Sequence, residues 1–321
     1  MTKQLVINKI KFTLGAAALF LISFILQINF AVSLFLIALV VYLKFSYPDL
    51  NQKSYNLLNL TFLFVIILTL SFIIVKHGWP VLLIPFCMMP MLAIVLFEER
   101  LISLLITLGS AVTFAAIAGT NSYILMLFLI SGTLSAILLP GARRRSRIIQ
   151  AGSIIGIFQA ITLFFLEHFK INNLNAYLIL FLNGITSSII VVGILPVFEY
   201  LFNTVTNISL LELADFDNPI LQRMMMEAPG TYHHSLVVGN LSEAACQAVG
   251  AHALLARIGA YYHDIGKLSK PEYFSENQEI HSSKHDTLSP TISKMIIMNH
   301  VKEGVELAKK QKLKTPLVDF I

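Results

Sequence analysis

Residues 253–267 read ALLARIGAYYHDIGK. Leu254, Leu255, Ile258 and Tyr262 recur at helical spacing, so the stretch predicts an amphipathic helix from about 252 to 262. Gly266 stands just beyond it as a terminator. At the helix end an imidazole and a carboxylate, His263 and Asp264, are followed by an ammonium, Lys267. The dipeptide alone is weak evidence, because nine histidines and six aspartates in 321 residues give roughly 0.2 adjacent pairs by chance. Its surroundings give it weight. Seven of the nine histidines, His233, His234, His252, His263, His281, His285 and His300, fall after residue 232.

Neutral imidazoles combined with carboxylate suit first-row transition ions such as iron and manganese better than calcium or magnesium. Two such ions side by side can clamp both the attacking and the leaving oxygen of a phosphodiester, with a carboxylate bridging them. Asp264 is the natural bridge, and Lys267 can meet a phosphate. Asp264 and Lys267 are therefore the candidate catalytic residues. On the preceding helix His233 and His234 compete for the same role, since adjacent helical residues face about 100° apart and only one can point at a metal. His300 shares a helical face with Ile292 and Ile296 on the following helix. His285-Asp286, a second such pair, lies in a polar loop and reads as loop structure or a substrate contact, whereas His252 and His281 read as solvated.

Outward from this stretch the tail is helical throughout. Asn218-Pro219 opens a helix through Met226 that Pro229-Gly230 ends. Thr231 is the expected cap of the next helix, and Ser289-Pro290 opens another towards His300. No strand-like alternation occurs, and the 224–226 methionine run reads as a buried face. Between Phe202 and this tail, residues 201–217 form a mildly acidic connector in which Leu210, Leu211 and Leu213 predict a short amphipathic turn.

The first two hundred residues are of another kind. The chain is 56% hydrophobic and 13% charged, well below the quarter or so of charged residues in soluble domains. Apolar runs near the length needed to cross a roughly 30 Å hydrocarbon core occur at about 57–76, 79–97, 101–118, 121–140, 148–167 and 176–199. Residues 12–43 suit two short spans meeting at Gln27-Ile28-Asn29, which makes about eight spans, or seven if that stretch crosses once. With eight, Lys3, Lys9, Lys11, Lys44, Lys53, Arg100, Arg143, Arg144, Arg145 and Arg147 are inside, against Lys76 and Lys170 outside. That asymmetry places both termini in the cytoplasm of a multi-pass plasma-membrane protein. The initial segment lacks a small-residue cleavage site before a polar domain, so it is not read as a signal peptide.

The same placement excludes other classes. The net charge of +5 does not mark a polymeric nucleic-acid binder, because residues 201–321 carry 11 Lys and Arg against 13 Asp and Glu. No secure span carries an Asp, Glu, Lys or Arg in its middle, which disfavours an ion or proton transporter. Asn59, Thr61, Asn183, Thr186, Ser187 and Ser188 read as interhelical hydrogen bonds and small-residue contacts, and Pro85 and Pro90 as kinks in the 79–97 span. Cys87 and Cys246 lie in different regions, so neither a disulfide framework nor a cysteine zinc site is expected.

NPILQRMMMEAPGTYHHSLVVGNLSEAA, LLARIGAYYHDIGKLSKPEYFSENQ and HDTLSPTISKMIIMNHVKEGVELAKK, within 218–319, together resemble the HD domain of seven-transmembrane HD-family phosphodiesterases of the PgpH type. The spans, the arginine-rich loop and LNGITSSIIVVGILPVFEYLF are similar to that family's membrane region. The resemblance implies an all-α chain: a membrane bundle over 1–200, the connector over 201–217 and the N-terminal part of an HD phosphohydrolase domain over 218–321. It implies hydrolysis of cyclic di-AMP to pApA by two divalent iron or manganese ions. His234 and His263 would bind the first, Asp264 would bridge, and His300 would bind the second.

Two departures accompany it. The family carries a large extracellular domain where this chain has only Gln27 to Asn29, and it completes its metal shells with a His-His pair and a distant aspartate. Read as complete, a chain ending at Ile321 leaves the second ion only His300 and Asp264 and predicts impaired turnover. The expected partners are a cyclic dinucleotide and membrane lipid, with a homodimer through either part left open. The competing expectation is an inactive membrane receptor or regulator whose HD domain binds a nucleotide or a partner.

Overall fold

The computed structural model describes residues 30–46, 64–65, 69, 71–117, 122–168, 174–215, 217–278 and 283–321, and among them there is no β-strand. The chain divides into two compact units, 1–202 and 203–321. The expected turn at Gln27 to Asn29, Asn59, Thr61, His281, Lys170 and the first lysines lie outside the described residues.

The first unit contains α1 (Phe30–Ser46), α2 (Met88–Phe97), α3 (Arg100–Ile117), α4 (Ser122–Leu138), α5 (Arg145–Leu166) and α6 (Leu174–Leu201). Of these, α5 and α6 are long and apolar enough to cross a membrane, and the apolar segments 81–97, 100–116 and 123–138 are shorter. From α2 onward neighbours in sequence pack on one another, α1 packs on α3, and α2 also touches α4 and α6. Phe128 is stacked on Phe114 at 4.7 Å between ring centroids and set edge-on to Phe86 at 4.9 Å. Backbone meets backbone where α5 joins α6. A Cβ on Gly184 would lie 2.3 Å from the Gly152 carbonyl oxygen and 2.7 Å from the Gly156 nitrogen, so the two backbones touch. Gly152 and Gly156 form a GxxxG pair, a small-residue spacing that permits such contact.

The segment 79–97 is broken rather than kinked. Val81–Leu83 form one 3₁₀ turn, the chain bends through Pro85, and α2 begins only at Met88. Pro85 lacks an N–H and disfavours helix at Ile84 before it, whereas Pro90 sits in the first turn of α2, where proline is tolerated. Within an apolar bundle the carbonyls at the break need donors, and Ile84 O accepts from Phe86 N–H at 2.8 Å. Asn183 of α6 adds a side-chain donor: Nδ2 donates to Leu82 O at 2.9 Å and to Ile84 O at 2.7 Å, while Oδ1 accepts from Ser187. Thr186 and Ser188 bond to carbonyls of their own helix instead. Asn183→Leu is therefore expected to destabilise the detergent-solubilised protein by about 1–3 kcal/mol, while Thr186→Val changes it by less than about 0.5. Equal thermal midpoints for the two variants would show that the asparagine does not hold the break.

The second unit contains α7 (Asn207–Leu213), α8 (Pro219–Glu227), α9 (Pro229–Ala248), α10 (Ala253–Tyr262), α11 (Pro290–Lys310) and α12 (Thr315–Val318), with 3₁₀ turns at Ile265–Ser269, Pro271–Tyr273 and Ser275–Asn277. The predicted caps at Asn218 and Ser289 form, their side chains accepting from the N–H groups of Ile220 and Ile292. His252 caps α10 by accepting from Leu255 N–H, a role beyond solvation. The connector turn becomes α7, closed by a Thr206–Ser209 capping box. Leu210 joins Ile220, Leu221, Met224, Leu254, Ile258, Tyr262, Ile265 and Leu317 in one core. Tyr262 Oη donates to Leu213 O at 2.6 Å, fastening α10 to the end of α7. Only Met224 of the methionine run is buried; Met225 and Met226 are exposed, because consecutive helical residues turn away from one another.

Pro229 does not merely end α8. It opens α9 directly, since a proline without N–H suits a first helical turn. Thr231, expected as a cap, lies inside that turn, and its side chain serves the site below.

Candidate metal centre

Three elements bring the sequence-predicted residues together. His234 projects from α9, His263 and Asp264 follow the end of α10, and His300 lies on α11. Metal-ligating atoms of His234, His263 and Asp264 all fall within 4.8 Å of one another, and the His234 and His263 rings have centroids 5.5 Å apart. His300 enters through the carboxylate, its Nε2 3.5 Å from Asp264 Oδ1, while His263 Nε2 is 3.2 Å from Oδ2. Each carboxylate oxygen thus faces a different imidazole. His233 and His234 are both exposed, but only His234 belongs to the group.

The imidazoles are oriented by backbone. His263 Nδ1–H donates to Ala260 O at 2.7 Å, and His300 Nδ1–H donates to Ile297 O. With Nδ1 committed, Nε2 is the nitrogen left to meet Asp264 or an ion, as is usual for metal-binding histidines. Asp264 is buried. Burial works to raise its carboxyl pKa, but hydrogen bonds and charge from His263 and Lys267 outweigh it and hold the carboxyl far below the usual carboxylate range. The Asp264 bond raises the His263 pKa against the opposing pull of burial.

Lys267 does not reach out to solvent. Its Nζ is 2.8 Å from Asp264 Oδ2 and 2.6 Å from Glu276 Oε1, and 5.0 Å from the Phe274 ring centroid. Burial lowers its pKa and the two carboxylates raise it more, leaving a net upward shift. Glu276 is shifted down, its burial outweighed by Lys267. Glu276 Oε1 also accepts from Thr231 Oγ1 at 3.1 Å, and Asn277 Oδ1 accepts from Thr231 N–H at 3.0 Å. Sequence reading passed over Glu276 and Asn277; the one signal was an acid and an amide beside aromatic residues in EYFSEN.

Gly266 has a use other than helix termination. It lies inside the 3₁₀ turn that follows α10, and a Cβ there would stand 1.8 Å from His300 O and 2.5 Å from Gly304 N. Absence of a side chain lets α11 lie against the His-Asp turn and so brings His300 to Asp264. His285 is structural: Nε2–H donates to Tyr273 O at 2.6 Å, and Nδ1 is 2.7 Å from Ser293 Oγ.

Ligands bound at about 2.0–2.2 Å stand roughly 3–4 Å apart, a range that holds the 3.2 Å and 3.5 Å separations of His263 and His300 from Asp264, with His234 within 4.8 Å of His263 and Asp264.

Comparison with known proteins agrees over both units. The family described as "7TM receptor with intracellular HD hydrolase" matches residues 16–206, and the HD domain family matches 231–320. The cyclic-di-AMP phosphodiesterase PgpH of Bacillus subtilis (strain 168) is 35% identical over 309 residues, covering 90% of this chain and 43% of that protein. The protein of the same name from Listeria monocytogenes serotype 1/2a (strain 10403S) is 34% identical over 300 residues, covering 91% and 38%. The chain thus spans about two fifths of the length of these relatives. The crystal structure of the L. monocytogenes PgpH HD domain in complex with cyclic-di-AMP is 46% identical, with a TM-score of 0.32, over 33% of this chain and 49% of that one. A multi-helix apolar unit followed by an HD unit, matched along nine tenths of the chain, is a membrane protein of one kind: the chain belongs to the family of 7TM receptors with an intracellular HD hydrolase.

Proposed function

We propose that this chain is a multi-pass plasma-membrane phosphodiesterase that hydrolyses cyclic di-AMP to pApA at a cytoplasmic centre of divalent iron or manganese. The observation that carries this reading is Asp264, a buried carboxylate whose two oxygens face His263 and His300, with His234 alongside. The names of its relatives in Bacillus and Listeria supply the substrate, and the exposed arginines at 143, 144 and 147 suit a cytoplasmic loop.

His234, His263 and Asp264 would hold one ion, and Asp264 and His300 would share a second. Bound to such donors, a divalent ion supplies Lewis acidity to a phosphodiester and acidifies water. The chain's own groups do the rest. The carbonyls of Ala260 and Ile297 keep both Nε2 atoms turned inward, and Asp264 stays ionised to bridge. Lys267 brings an ammonium to the edge of the centre, held between Asp264 and Glu276.

Purified in detergent, the chain is expected to carry iron or manganese and to convert cyclic di-AMP to pApA. Less than one metal per chain together with no pApA would favour the competing reading, a receptor module that binds nucleotide without turnover.

A further inference from the structure

Lys267 raises a charge conflict at the centre. Its Nζ bonds to Asp264 Oδ2 at 2.8 Å, the oxygen that faces His263. A divalent cation bound there competes with the ammonium for the same oxygen and repels it, and Lys267 is largely enclosed. A displaced ammonium without a partner would weaken metal binding.

Glu276 resolves the conflict. Its Oε1 already lies 2.6 Å from Lys267 Nζ, on a strap formed by the Pro271–Tyr273 and Ser275–Asn277 turns. That strap is tied to the first turn of α9, the helix of His234. Besides the Thr231 bonds described above, Asn277 Nδ2 donates to Thr231 Oγ1 at 2.8 Å. A Cβ on Gly230 would stand 1.8 Å from the Glu276 carbonyl oxygen, so strap and helix touch backbone to backbone. The Glu276 side chain is 28% exposed, and its bonds to Thr231 and Lys267 hold it against the first turn of α9.

We propose that Glu276 is a positioning residue: it takes over Lys267 as sole counter-ion when Asp264 binds a cation, so metal affinity depends on a carboxylate that is not itself a ligand. This rests on the metal-centre reading above. Glu276→Gln keeps an oxygen for Thr231 and removes only the charge. In the full-length detergent-solubilised protein, titrated with Mn²⁺ alone and followed by the EPR signal of the free ion, Glu276→Gln is expected to weaken binding about 10- to 100-fold, the range of outer-shell substitutions. Lys267→Met removes the competitor, so it is expected to bind Mn²⁺ at least as tightly as wild type. The double variant should bind within about threefold of Lys267→Met, because without the ammonium its counter-ion has no task. A Glu276→Gln protein that binds like wild type overturns the proposal. So does a double variant as weak as Glu276→Gln, which would make the carboxylate a strap element only. Wild-type protein that binds no Mn²⁺ sinks the metal centre itself, a result separable from either.

Discussion

Asp264→Asn is expected to empty the centre of metal and to lower cyclic di-AMP hydrolysis at least about a thousandfold, beyond the 10- to 100-fold cost of disturbing a metal's outer shell. The side chain is nearly isosteric, so no neighbour has to move to admit it. The chemistry changes entirely. Asp264 is the group that meets His263 and Lys267 through Oδ2 and His300 through Oδ1. An amide offers one weakly basic oxygen and turns two N–H donors towards groups that are donors already, or are waiting for an ion. Metal content by elemental analysis and pApA formation should therefore fall together, and the thermal midpoint of the metal-free protein should fall as well, because the carboxylate's pairings with His263 and Lys267 are lost. Retained metal with lost activity would relocate the ligands; retained activity would end the case for this carboxylate.

Gly266→Ala is expected to be strongly destabilising for a single-methyl change. The added carbon would stand 1.8 Å from His300 O and 2.5 Å from Gly304 N, and both are backbone atoms of α11 that no rotamer change can move. Contacts under 3 Å force α11 off the His-Asp turn. Overpacking of this kind costs about 1–3 kcal/mol or more, which lowers the midpoint of a unit this size by roughly 10 °C. The displacement acts on His300, so the variant should also lose metal affinity more steeply than stability. An unchanged midpoint would mean that the close approach is not a feature of the folded protein.

Local rules made much of this legible. Asn218-Pro219 and Ser289-Pro290 announce their helices because a cap is an interaction over two or three residues, and the apolar period of 254–262 announces α10. The break near Pro85 was anticipated only as a kink, although its proline pair was visible. Gly152 and Gly156 carry a GxxxG spacing that could have foretold the touching backbones of α5 and α6. Glu276 had almost no signal. Its partners are nine and forty-five residues away, at Lys267 and Thr231.

By itself, the sequence determined an all-helical chain with an apolar first part and a histidine-rich second part, because hydrophobic period, caps and composition are written locally. Tertiary structure alone decided that His234 rather than His233 stands beside His263 and Asp264, that Thr231 is a tether and not a cap, and that Gly266 is a point of contact and not a stop. It also decided that Lys267 is held between two carboxylates. Each of these depends on which surfaces meet across long stretches of chain, and a one-dimensional pattern records the faces of helices but not what is pressed against them.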